Sequence, residues 1–555
     1  MGTSFGTTDT VEGGGDTDTL TLTLGAGSIS GTATGVEIIT TTLTTDGGTL
    51  NVGNISDLTT INLIGTSDDG TSVTNIASGT DIKINNEEVG ALTLDTVAGA
   101  TLNIEIGATA AIVVNNITAA DASTVAVTTT TGTGTTARTH TLADGTGNGL
   151  LALDNTDTTA LTISTSTYGS LTFDDVTNAG ALTSMTVTTA GGALVMDDMD
   201  AATSLTSLVL SANVSDAGDI TIDDLGTAGA GALRSLDTIS MTASNAADIT
   251  VGIINGDTNV AGKTDAAITS VDLSAATSGS IVTVEEIDLG TGGITSLNLT
   301  TVAGATVDLD GTGITAASIG TITISGGGTV ELDGTNAVTT ISTLNATSTS
   351  TGSTTNIDLS DVTNAVSVSL GQGTNVLVSG AGSDTITLSS SAGTDTVTYD
   401  ATGQGEDTIS GFKSTVDTID LDISVFSTGT VDGTALAGAV VNTAISVGTT
   451  GATADIGYVL GAVNAAAAAP VNENQLTDEN AIATLIADTF TVTDTDAATA
   501  DRAVFIVEAA DVNGIYAIYE YLDSAVNDAT VSAAELTLIA VVTANDFVIG
   551  DITTY

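Results

Sequence analysis

Short phrases in which apolar residues alternate with Thr, Ser, Asn or Asp recur along most of this chain, and that repetition limits the possible folds more than any other feature. Examples are TLTLTLG (19–25), LTTINLIG (58–65), LTSMTV (182–187), LTSLVL (205–210), ITSVDL (268–273) and ITSLNL (294–299). Alternation with a period of two marks a strand that buries one face. The phrases return every ~20–35 residues, as solenoid coils do, and TVAGATLNI (96–104) is echoed by TVAGATVDL (301–309). A coil of two or three short strands cannot bury its own apolar face, whereas stacked coils share one aliphatic core. The expected fold is all-β: an elongated parallel β-solenoid or β-roll with a small C-terminal α+β or β-rich cap. A string of β-sandwich domains is the alternative, because it also yields many short strands.

The residue palette agrees. Trp is absent, Pro occurs once, and Gly, Asn and Asp take over turn formation. The segment 125–149 is the least strand-like and reads as a loop or a junction between solenoid pieces. The organisation expected is an N-terminal solenoid segment (1–150), a central solenoid (151–370), a motif-bearing roll (371–426) and a C-terminal cap (427–555). Of fourteen Phe and Tyr residues, eleven lie at Tyr399 or later, which places a compact aromatic core in the last part. There, LTDENAIATLIADTF (476–490) reads as a helix with Thr477 as N-cap. Residues 503–522 read as a hairpin around DVNG, and Ser532 with Glu535 forms a capping-box pattern. Pro470, after a run of five Ala, marks a break before the cap.

Charge narrows the function. The chain carries 66 acidic and 6 basic residues, a formal net charge of −60. Such self-repulsion opposes a compact state unless counter-ions bind. Nucleic acid and anionic membranes are excluded as partners, and divalent cations are favoured; an acidic surface suited to a salty medium is the other reading. There is no Cys, so thiol catalysis and zinc–thiolate sites are out. The start MGTSFGTTDT lacks the basic and apolar regions of a secretory signal, and no apolar run of about 18 residues suits a membrane span. The chain therefore stays inside the cell, leaves by a route that ignores the N-terminus, or is a trimmed piece. His140 is the only histidine, too few for a His-Glu-x-x-His zinc site, and reads as a polar strand residue. Lys83, Arg138, Arg234 and Lys263 are too scattered to build a groove for acidic polysaccharide, and Lys413 and Arg502 read as structural. Chance carboxylate pairs are unavoidable among so many acids, but the body has almost no aromatic platform for a sugar. No catalytic residue is expected.

One motif stands apart. GQGTNVLV (371–378), GAGSDTIT (380–387) and GQGEDTIS (403–410) share Gly-x-Gly-x-[Asp/Asn]-x-apolar-x; AGTDTVTY (392–399) is a degenerate copy, and GGGDTDTL (13–20) another. Glycine lets backbone carbonyls turn inward and Asp adds a hard anionic oxygen; calcium takes roughly six to eight such ligands. An ordinary β-turn without metal is the competing reading. The pattern resembles the RTX nonapeptide repeat, which implies a calcium-binding parallel β-roll. The resemblance implies that Ca2+ is held by Gly371, Gly373, Asn375, Gly380, Gly382, Asp384, Gly393, Asp395, Gly403, Gly405, Asp407 and Asp417, with an N-terminal outlier at Gly14, Asp16 and Asp18. The run GEDTISGFKSTVDTIDLDISVF (405–426) is similar to the phrase that closes RTX blocks, and 523–552 resembles the C-terminal regions of such proteins, which implies type I secretion on an uncleaved C-terminal signal. The long Thr/Ala/Gly-rich body resembles RTX-bearing surface-layer proteins. These resemblances imply a self-assembling extracellular structural protein on a bacterial cell surface, a sheet or filament whose partner is itself. An adhesin that binds cell-surface polysaccharide is the alternative. Thr-x-Thr phrases resemble ice-binding solenoids as well, although the coil lengths vary too much for a regular rank.

Overall fold

The computed structural model describes residues 5–421 apart from 45–46, 67–69, 86–87, 108–110, 131–137, 143–148, 155, 200–201, 214–217, 228–231, 258–264, 310–312, 333–336, 390–392 and 401–403; beyond these it describes 443–447, 455–459, 471–494, 502–522, 531–545, 547 and 551–554. The chain divides into two compact units, Met1–Ala317 and Ser318–Tyr555. The division does not fall at residue 150 or 370. Pro470 lies outside the described residues.

Unit 1 is a parallel β-solenoid. One column of strands starts with Thr19–Leu24, Ile38–Leu43, Thr60–Gly65 and Asp81–Ile84. Further along, the same column holds Ala160–Thr165, Ser184–Thr189, Ser207–Ala212, Thr238–Ala243, Ala267–Ala275 and Gly293–Thr301. A second column begins with Gly27–Ile29 and Gly48–Asn51. A third begins at Glu88–Val89 and continues through Arg138–Leu142, Gly169–Phe173, Leu194–Met199 and Ile220–Leu225. Every strand pair described in unit 1 is parallel, which excludes the antiparallel sandwich alternative.

Alternation sets the core. Along Ser207–Ala212, Leu208, Leu210 and Ala212 are buried and the residues between them are not. Parallel register then places like on like: Leu161, Met185, Leu208, Ile239, Val271 and Leu297 form one inward row. Uneven coil lengths are absorbed at the corners. The register steps from Ser184 to Ser207 in one coil and from Ser207 to Thr238 in the next, yet six residues pair in register each time. Several corners use Asp or Asn at positive φ, among them Asp57, Asn75, Asp121, Asn178 and Asn245, the short polar residues that tolerate this region best. The segment expected to be a loop or junction contributes the end of strand Asn116–Thr130 and strand Arg138–Leu142. Its Thr-rich alternation serves strands, and only 131–137 and 143–148 fall outside the description.

Unit 2 narrows to two strands per coil. Ile341–Thr349, Ser367–Ser369, Thr385–Thr387 and Asp407–Lys413 stack in one column. Thr354–Asp358, Gly373–Val378, Gly393–Tyr399 and Thr418–Leu421 stack in the other. Strand Leu536–Asn545 adds in parallel to Asp407–Lys413, and Ile552–Thr554 adds to Thr418–Leu421. The other side of Leu536–Asn545 pairs antiparallel with Ile515–Leu522, which forms the expected hairpin with Arg502–Glu508. Helix Glu479–Thr489 packs Ile482 and Ile486 into a cluster with Phe505, Tyr519, Tyr521 and Leu536. Its N-cap is Asp478, not Thr477: the Asp478 carboxylate accepts the N–H groups of Asn480 and Ala481, the usual geometry of a capping side chain. The Ser532–Glu535 box is present but caps one 3-10 turn, Ala533–Glu535, before the strand begins. Among the described residues, no helix is long and apolar enough to cross a membrane.

The register makes a direct test. Ile239→Ala, at a fully buried position, should destabilise unit 1 by about 2–5 kcal/mol. Ser240→Ala, its outward neighbour, should stay within about 0.5 kcal/mol. Urea unfolding of the two variants measures the contrast.

Candidate functional site

The glycine–aspartate motifs stack on one another in unit 2. Gly373 pairs with Gly393 and Asn375 with Asp395, while the Thr396–Thr418 pairing brings Asp417 level with Asp395. In the other column, Thr385 pairs with Thr408, which brings Asp407 level with Asp384. Two rows result: Asn375–Asp395–Asp417 and Asp384–Asp407. All five side chains are at most 2 % exposed.

Asp384, Asp407 and Asp417 turn toward the backbone of a neighbouring coil, and Asp395 toward the Asn375 side chain of one. Asp407 Oδ1 accepts the Asp384 N–H at 2.8 Å, and Asp384 Oδ1 accepts the Val366 N–H at 2.8 Å. Asp417 accepts the N–H groups of Asp395 (3.1 Å) and Lys413 (2.8 Å). Asp395 accepts the Ser389 N–H at 3.1 Å and Asn375 Nδ2 at 2.6 Å. Ser379 Oγ lies 2.6 Å from Asp407 Oδ2 and 3.2 Å from Asp384 Oδ2, and Tyr399 donates to Asp407 Oδ2 at 2.9 Å. Ser379, Tyr399 and Gln404 were not among the sequence candidates; Ser379 and Tyr399 lie outside the Gly-x-Gly-x-Asp positions, and Gln404 fills a variable position of the third copy.

Glycine is required where coil meets coil. A Cβ on Gly405, at φ +70°, would overlap the Gly382 carbonyl, and one on Gly382 would overlap the Asn364 carbonyl. Gly371 accepts Asn375 Nδ2 through its carbonyl, and the Gly393 carbonyl accepts Lys413 Nζ. Gly380 donates its N–H to Asp384. Gly403 lies outside the described residues. The N-terminal copy belongs to unit 1: Gly14 and Asp16 are exposed, and Asp18, half-buried, donates its N–H to Glu37 Oε2 at 2.8 Å.

Burial dominates the electrostatics. It pushes the Asp407 carboxyl up to about 7, and raises Asp384, Asp395 and Asp417 above the ordinary carboxylate value. Lys413 partly offsets this at Asp395 and Asp417. Tyr399 is pushed well up by burial and by the Asp407 charge.

Each row also holds an amide oxygen that accepts no hydrogen bond although it is buried: Asn375 Oδ1 in one, and in the other Oε1 of Gln404, whose Nε2 donates to the Ser379 carbonyl at 2.7 Å. Thr355, which pairs with Asn375, likewise has a buried Oγ1 without a partner. The buried acceptors of both rows are all oxygens, the donor type that suits a hard cation such as calcium rather than a softer metal.

Unit 1 contains two acidic groups that the motif does not mark. Carboxylate oxygens of Asp121, Asp154 and Asp157 lie within 4.8 Å of one another, as do those of Asp197, Asp198 and Asp223, and either group could hold a metal ion. The second has a sequence signature: FDDV (173–176), MDDM (196–199), IDDL (222–225) and VEEI (284–287) repeat an apolar–acid–acid–apolar phrase. Register stacks the phrases, with Phe173, Met196, Ile222, Val251 and Val284 in one row. Burial and the neighbouring Asp223 and Asp174 raise the Asp197 carboxyl.

No protein-family model matches the chain, and no curated protein matches it.

The sign of the Asp407 effect can be measured. A carboxyl whose value is raised on folding loses stability as pH climbs from about 4 through about 7. Asp407→Asn removes the charge, and the Ser379 and Tyr399 hydroxyls can turn to accept. In chelator, the variant should match the parent near pH 4 and melt at higher temperature at pH 8.

Proposed function

We propose that this chain is a self-assembling extracellular structural protein, a surface-layer or filament subunit whose folding and assembly depend on bound calcium. The observation that carries this reading is the pair of buried carboxylate rows, each with an orphaned amide oxygen beside it. Ionised carboxylates buried without a cation oppose folding. Calcium held by Asp384, Asp407 and Gln404, and by Asn375, Asp395 and Asp417, would turn that repulsion into cross-links between coils. Extracellular calcium modules work at about 10⁻⁴–10⁻³ M affinity, so the ion is available on a bacterial cell surface. Export by type I secretion is part of this reading.

The rest of the chain supports a structural role. Its core is aliphatic row upon row, the geometry of a stiff scaffold. The net charge of −60 repels nucleic acid and anionic membrane and leaves copies of the same chain, bridged by divalent cations, as the partner. The chemistry assigned is binding and assembly, with no catalytic residue.

Calcium at about fifty times the dissociation constant should add roughly 2 kcal/mol per site, seen as a higher melting temperature that EDTA reverses. Asp407→Asn should lose most of that gain, so its order relative to the parent reverses: more stable in EDTA at pH 8, less stable in millimolar calcium. Electron microscopy of purified protein should show sheets or filaments in millimolar calcium and none in EDTA. Stability indifferent to EDTA removes the calcium assignment. Stabilised monomers that never polymerise remove assembly and leave the adhesin reading.

A further inference from the structure

The third column of unit 1 carries an inward row that is aliphatic in seven of eight coils: Leu171, Leu194, Ile220, Ile249, Val282 and Val307 follow one another in register. Ahead of Leu171 in the same row comes His140, paired with it directly. Extending the Val113–Thr141 pairing by one residue sets Ile112 on its other side. The only histidine of the chain is thus held between Ile112 and Leu171, 1 % exposed, and its Nδ1 has no hydrogen-bond partner. A leucine or isoleucine would continue the row, and neither would respond to pH.

Among the described residues, no acid acts on the imidazolium. Strands Val113–Val114, Leu150–Ala152, Ala160–Thr165 and Gly169–Phe173 contain no titratable residue. The inward side chains of Asn116–Thr130 are apolar apart from Thr129, whose hydroxyl is given to the Gly169 carbonyl, and Asp121 in that strand is exposed. The charge that acts on the ring is that of Arg138, two residues away on the same strand, and it has the wrong sign. Desolvation and Arg138 both lower the His140 value below 6.5.

We infer that His140 is an acid-operated latch in unit 1: neutral, it packs as part of the aliphatic row, and protonated, it must leave that row and open the coil around Arg138–Leu142. The sign opposes that of the raised carboxylates. A histidine whose folded-state value is depressed gives up stability as pH falls from 6.5 toward that lower value, whereas the raised carboxylates regain stability over the same range. Acid therefore loosens one coil of unit 1.

Two measurements on the full chain test this. With a single histidine, its Cε1–H resonance needs no assignment, and it should titrate with a midpoint below the ordinary histidine value. Hydrogen exchange in Arg138–Leu142 and Gly169–Phe173, corrected for intrinsic rate, should speed up about tenfold per pH unit below 6.5, up to the midpoint found by the resonance. In His140→Leu and His140→Gln that acceleration should vanish, with parent-like exchange at pH 7.5. A resonance that titrates at the ordinary value, or variants that keep the parental acid dependence, overturns the latch.

Discussion

In-register parallel pairing is the interaction on which the rest of this structure depends. A backbone ladder between successive coils puts each side chain over its counterpart one coil away. Whatever the sequence repeats is thereby stacked on itself. Repeated Leu, Ile and Val become continuous inward rows, and repeated Thr and Ser become outward ones. Repeated Asp becomes a row of like charges, which the same ladder holds together against their repulsion. The fold's stability and its electrostatic strain thus come from one source.

The buried carboxylates show how that strain is handled. Asp384, Asp407 and Asp417 each accept a backbone N–H from an adjacent coil, and Asp395 accepts the Asn375 side-chain amide from one, so all four link coils even before any ion is considered. Hydrogen bonds of this kind recover part of the desolvation cost, and the upward displacement of all four carboxyls shows that they do not recover all of it. What remains can be met by a proton or a cation, and the two compete for the same oxygens. At the external rows of unit 1, Asp197 faces the same competition with water close by.

Much of the architecture was legible in the sequence, because period-two alternation and coil-length repetition are local signals. Leu208 and Leu210 face inward for a reason visible in LVL itself. The failures were equally physical. Asp478 and Thr477 are adjacent cap candidates, and only the backbone path decides between them. The stretch 125–149 reads as loop-like because Gly and Thr dominate it, yet its described parts, up to Thr130 and from Arg138 to Leu142, pair as strands with the coils on both sides. At the candidate site the Gly-x-Gly-x-Asp positions could be read directly, while Ser379 and Tyr399 could not, since their contacts to Asp407 come from 28 and 8 residues away. The repeated acid pairs from FDDV to VEEI were visible but carry no glycine signature, and register alone reveals that they stack.

The closing strand gives the molecule an unusual history of assembly. Coils up to Leu421 each add to a neighbour some twenty to thirty residues earlier, a local step that a growing or emerging chain can take as it goes. The edge left by Thr418–Leu421 has no such prompt partner. It is covered by Ile552–Thr554, and the Thr553 hydroxyl reaches Asp420 across 133 residues of sequence. Until that segment arrives, a row of unpaired backbone groups stands open to any other strand. Long-range closure by two C-terminal strands thus completes an otherwise sequential stack, and the interval before it is when strand exchange between neighbouring chains has its opportunity.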